Sequence, residues 1–227
     1  NKILRRYFKK EWKLMQAHLE AFITAKEQED LHEFRVQAKK LKALLILTDQ
    51  SASSVPLIHF LKPVRKIFRL GGTLRNAYVS DKLTGHNLCK DNVLVDFCSL
   101  VKKRQRSIRR SYNVIKKKLR RVGGKSVREF YESQLRRIAR DLSSQPSAMQ
   151  LHDCRKWIKV LLYNYQVAHD DLAFSLNTAY LDQLQEEIGD WHDRCLAGEI
   201  IPEFSASSAG NFYERAVYSA DKEHVLS

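Results

Sequence analysis

No stretch of the 227-residue sequence alternates apolar and polar residues as a half-buried strand does, so a sheet-based fold is not expected. No apolar run approaches the roughly 20 residues of a membrane-spanning helix, and no signal sequence opens the chain; a soluble protein is expected. The four cysteines, Cys89, Cys98, Cys154 and Cys195, are widely spaced. They make no C-x-x-C pair and no Cys/His cluster at zinc-ligand spacing, so they read as buried or partly buried thiols in a reducing, cytoplasmic setting. Acids are scarce where bases are dense: residues 101–140 hold sixteen Lys or Arg against Glu129 and Glu132. That window carries +14, the formal net charge of the whole chain, and the remainder is neutral. A concentrated cationic zone on a folded chain implies a polyanionic partner.

What the sequence does hold is one outline used twice. Leu31 to Lys42 reads LHEFRVQAKKLK, and Leu151 to Leu162 reads LHDCRKWIKVLL, 120 residues later. At about 100° per residue, His32, Arg35, Lys39 and Lys42 share an arc of about 80° on a helix, as do His152, Arg155 and Lys159. Phe34, Leu41, Leu44 and Leu45 gather opposite the first stripe, and Cys154, Trp157, Ile158 and Leu161 opposite the second. One face packs and the other is available for binding. A face selected only for solubility mixes charge signs, and these stripes contain no acid.

Apolar residues recur at intervals of three and four through most of the chain, predicting eight helices. The first spans about 2–27. The second, with Asp30 as N-cap, runs to about Thr48 and puts His32 in its first turn, where free N–H groups favour an anion. A third follows the loop Ser51 to Pro56, and Gly71 and Gly72 are expected to kink or interrupt it before Leu74 to Leu83. The fourth covers about Lys90 to Arg121. Gly123 and Gly124, with Ser126 as a fresh N-cap, divide the chain almost in half. Helices near 126–142, 148–168, 174–197 and 210–226 complete the set. The expected fold is all-α: two four-helix repeats, 1–122 and 125–227, with internal pseudo-two-fold symmetry inside one domain spanning 1–227.

These features resemble the CHAD family, helical domains named for their histidines, whose pattern is H-x-x-R-x-x-x-K/R-K/R-x-K/R in each of two repeats. His32, Arg35, Lys39, Lys40 and Lys42 match it throughout; His152, Arg155 and Lys159 match, but Val160 and Leu162 stand where bases belong. Gly72-Thr73-Leu74-Arg75-Asn76 and Gly189-Asp190-Trp191-His192-Asp193 are similar to the family's later Gly-x-x-Arg/His-Asp segments, with Asn76 in place of Asp. The resemblance covers essentially the whole chain. It implies two four-helix bundles around a basic central groove or pore that binds inorganic polyphosphate, and a binding module with no cofactor, metal or catalytic residue. Association with polyphosphate granules would follow from that ligand.

The residue chemistry suits such a ligand, which offers charge and shape but no base, sugar or donor to read. Arginine forks engage two phosphate oxygens, and lysines act as point charges that tolerate movement. Each histidine can donate to phosphate when neutral and gain charge when a polyanion arrives, so binding is expected to tighten from pH 8 to 6. Further candidates are Arg65, Arg69, Arg75, Lys102, Arg106, Arg109, Arg136 and Arg137. Two other readings compete. Asp182, Glu186, Asp190 and Asp193 line one side of the seventh helix and could hold Mg²⁺ for phosphate hydrolysis, or pair with the basic helices. Nonspecific RNA binding at low salt is the other, although Tyr112, Phe130 and Tyr131 are the only aromatics in the basic window and Tyr112 falls on the core side.

Overall fold

The structure, a computed structural model, describes residues 2–50, 55–84, 88–143, 146–196 and 212–219. Among these the fold is all-helical apart from one small two-stranded sheet. The chain divides into two compact units, residues 1–121 and 122–227.

In the first unit, α1 (Lys2–Ala25) buries Leu4, Tyr7, Phe8, Trp12, Met15, Leu19 and Phe22, a stripe at three- and four-residue spacing. Lys26 ends the helix with φ 63°, the left-handed conformation of a C-cap, and its N–H returns to the Phe22 carbonyl at 2.9 Å. α2 (Gln28–Asp49) buries Phe34, Leu41, Leu44 and Leu45. A 3₁₀ turn at Leu57–Leu61, held to Asp49 by the Leu57 and Ile58 N–H groups, leads into α3 (Lys62–Thr84). α4 (Leu88–Lys118) closes back on α1, with Tyr112 against Phe8 and Trp12, and Phe97 edge-on to Phe22.

The second unit repeats the ring with α5 (Gly124–Ser143), α6 (Ala148–Ala168), α7 (Thr178–Leu196) and α8 (Phe212–Ala216). Tyr131 is fully buried and donates from its hydroxyl to the Leu161 carbonyl at 2.9 Å. α6 opens with a capping box in which Ser147 and Gln150 satisfy each other's N–H groups.

Several expectations change. Gly71 and Gly72 do not break α3, which runs continuously through them. Asp30 is not an N-cap: α2 starts at Gln28, and Asp30 accepts from His18 across the turn at 2.9 Å. His32 is thus the fifth residue of its helix, as His152 is of α6, and both lie past the turn with free N–H groups. Ser126 lies inside α5, because the Gly123 carbonyl already accepts the first helical bond, from Val127. Residues 174–176 are strand rather than the start of α7. The last helix stops at Ala216, because Val217–Ser219 (β2) pairs antiparallel with Phe174–Leu176 (β1). The expected loop at 51–54, residue 197 of the predicted seventh helix and residues 210–211 and 220–226 of the predicted eighth lie outside the described residues, as do the side chains of Cys89 and Cys195. Cys98 is half-buried and Cys154 buried, the latter with its thiol pushed up to about 12 by burial first and then by Asp141. No helix among the described residues is long and apolar enough to cross a membrane.

Candidate functional site

The repeated motif becomes a repeated contact between helices. Arg35 of α2 lies across α3, its Nη1 donating to the Phe68 carbonyl at 2.7 Å. A Cβ on Gly72, one turn further along α3, would come within 2.8 Å of that nitrogen. In the second unit Arg155 of α6 lies across α7, its Nε donating to the Gln185 carbonyl at 2.9 Å, and a Cβ on Gly189 would come within 2.5 Å of Nη2. The glycine is therefore the floor on which a guanidinium crosses, which is why α3 keeps it at a helix-interior cost of about 1 kcal/mol. Each arginine uses one N–H on this contact and retains four others.

Around this shared clamp the two seams differ. In the first, the Phe68 ring lies under the Arg35 guanidinium at 4.3 Å. Arg65, Arg69 and Arg75 are exposed on the same face of α3, within an arc of about 120° that includes Phe68 and Gly72. Partial burial, and then the neighbouring Arg75, hold the Arg35 guanidinium below its ordinary value. On α2 itself His32 and Lys42 are exposed and Lys39 half-buried. Lys40 leaves the group: it turns to α1, where its ammonium sits 3.6 Å from the buried carboxylate of Glu11.

In the second seam, Lys159 is held below its ordinary value by burial and by Arg155, with Asp182 and Glu186 opposing. Asp182 and Glu186 of α7 thus lie within electrostatic reach of Lys159 on α6. Asp182 also accepts from the Gln185 side-chain amide at 3.1 Å. The His152 and His192 rings are 5.8 Å apart, and His192 Nδ1 is 3.5 Å from Asp193. Partial desolvation of the His152 ring, then Lys156 and His192, lower its proton affinity against the pull of Asp153. Val160, at the position of Lys40, is buried.

The remaining predicted residues do not join either seam. Lys102, Arg106 and Arg109 are exposed together on α4, which packs on α3 and α1. Arg136 pairs with Glu132 at 2.8 Å on α5; Arg137 pairs with Asp141 at 3.7 Å and lies over Trp157. Such exposed intrahelical pairs are weak and release their arginines readily. Among the described residues no group of three or more His, Cys, Asp or Glu is placed to hold a metal ion. Phe68 and Gln185, the floor residues beneath the arginines, were missed in the sequence, although each lies four residues before its motif glycine.

A family model for the CHAD domain matches residues 6–202. Among solved structures, the CHAD domain from the plant Ricinus communis is similar, with a TM-score of 0.67 over 94% of this chain and 81% of that one. At 16% identity this likeness is one of fold. No curated protein matches the sequence.

Proposed function

The chain belongs to the CHAD domain family, and from that premise we propose that it is a binding module for inorganic polyphosphate that uses the Lys, Arg and His stripes of both halves and catalyses no reaction. The observation that carries this reading is the arginine clamp. A guanidinium anchored through one N–H to a helix carbonyl is preorganised, so fewer rotamers are lost when its other donors meet phosphate.

Two further observations favour polyphosphate over its rivals. Phe130 and Tyr131 of the basic window are buried, and Tyr112 stacks on Phe8, so the aromatics there are engaged in the core rather than offered to bases. Asp182 and Glu186, two of the four acids the hydrolase reading uses, lie within electrostatic reach of Lys159, and among the described residues no three acids, histidines or cysteines come together as a metal site. Titration with polyphosphates of graded length should show affinity rising with length and falling steeply with salt. Arg35→Ala with Lys39→Ala should weaken binding by about tenfold or more, since each removes a charged contact to phosphate. RNA displacing polyphosphate at physiological salt, or phosphate release on adding Mg²⁺, would overturn the reading.

A further inference from the structure

The sequences of α3 and α7 can be aligned on their arginine contacts. Gly72 corresponds to Gly189, an offset of 117 residues, and the same offset relates Phe68 to Gln185, the two carbonyls that hold the arginines. At that offset Arg65 becomes Asp182, Arg69 becomes Glu186 and Arg75 becomes His192. Three cations flanking the first clamp are thus replaced by two acids and a histidine flanking the second. Arg65, Arg69 and Arg75 take part in no ion pair among the described residues. Asp182 and Glu186 are exposed and, like those arginines, make no ion pair within 4.0 Å among the described residues, but Asp182 is held by Gln185 beside Arg155, and the charge of both acids reaches Lys159 at longer range.

Position 68/185 sets the difference. Phe68 gives the guanidinium above it an apolar face and leaves its edge for anions. Gln185, 5% exposed, holds Arg155 by its carbonyl and Asp182 by its amide, so one buried residue fixes both a cation and the anion beside it.

We propose, resting on the polyphosphate reading, that the α2/α3 seam is the tight phosphate site, while Asp182 and Glu186 act as a built-in counter-anion on the α6 stripe, which polyphosphate must displace to bind. The second half then serves long or concentrated ligand, and the first captures it.

The test is a titration of the full chain with long-chain sodium polyphosphate at several salt concentrations, with circular dichroism to verify folding. Arg65→Gln/Arg69→Gln/Arg75→Gln should lose about tenfold or more in affinity and flatten the salt slope, because fewer counterions are released. Asp182→Asn/Glu186→Gln should do the reverse, gaining about threefold or more and steepening the slope. Glu187→Gln/Glu214→Gln changes the charge of the same half equally, away from the Asp182 and Glu186 face, and should gain clearly less. If the wild type binds and both acid pairs give the same affinity change, or neither gives any, the counter-anion is refuted while the polyphosphate reading stands. If the wild type itself does not bind polyphosphate, that reading fails first.

Discussion

The α2/α3 and α6/α7 seams share a backbone plan and differ in what surrounds it. Both cross an arginine over a helical glycine and tie it to the carbonyl one turn earlier. The first places arginines around that crossing, and the second places acids and a histidine. The clamp is therefore architecture common to both halves, and the flanking charge is where they diverge. A motif that looks like a binding signature in sequence is in part a packing signature.

The largest effect expected from breaking the comparison concerns Lys40, which matches the binding motif yet pairs with buried Glu11, where the second half has Val160. Lys40→Val alone should destabilise the protein by about 3 kcal/mol in urea denaturation, because it leaves a buried carboxylate unpaired. Glu11→Leu/Lys40→Val, which makes this site apolar as at Val160, should recover wild-type stability or exceed it. Polyphosphate affinity should change less than about twofold in the double variant, since the ammonium faces α1. A loss as large as that of Arg35→Ala with Lys39→Ala would add Lys40 to the binding stripe.

The glycines sharpen the comparison with a smaller effect. In Gly72→Ala the new methyl meets the end of a flexible side chain, so Arg35 swings away rather than the helices parting. The loss of its bond to Phe68, about 1–2 kcal/mol, is largely offset by a gain in helix propensity of about 1 kcal/mol. Thermal stability should thus stay close to wild type while polyphosphate affinity falls several-fold. Gly189→Ala displaces Arg155 from a seam flanked by acids rather than arginines, and should cost less affinity. Equal losses would mean that the two seams bind equally.

How much of this was legible in the sequence follows from the range of each interaction. Helix periodicity is local, so the core stripe of α1 and the apolar face of α2 stand where spacing puts them. The box at Ser147 and Gln150 is equally local, and Ser147 stands one residue before the expected helix start at 148. Gly72 read as a breaker because its reason, Arg35 crossing from another helix, lies 37 residues upstream. Lys40 matches the family motif in sequence, but its partner Glu11 is on α1, out of reach of any spacing within α2. The β1 and β2 strands are three residues each, too short to show alternation, and are fixed by pairing across 43 residues. Spacing within a helix shows which residues share a face; what that face meets is tertiary information.

The smallest expected effect lies in pH. His152 is surrounded by Lys156, Arg155 and His192, with Asp153 the one group pulling the other way, and its proton affinity is lowered. It is therefore mostly neutral at pH 7, and tightening spread evenly from pH 8 to 6 is not what this site should give. A phosphate chain restores proton affinity, so binding should take up protons and tighten as pH falls below about 6.5. Without ligand the sign reverses: a histidine whose folded value is depressed binds fewer protons than in the unfolded chain, so stability declines as pH falls through that range. His152→Ala should flatten both slopes, with a change in affinity on the order of twofold at pH 6. In the first half the position of His192 is held by an arginine, Arg75, a residue type without a histidine's switch, so neutralising Arg75 should weaken binding equally at pH 6 and 8. A pH profile unchanged in His152→Ala would remove the histidine pair from the distinction between the seams and leave it to the acids alone.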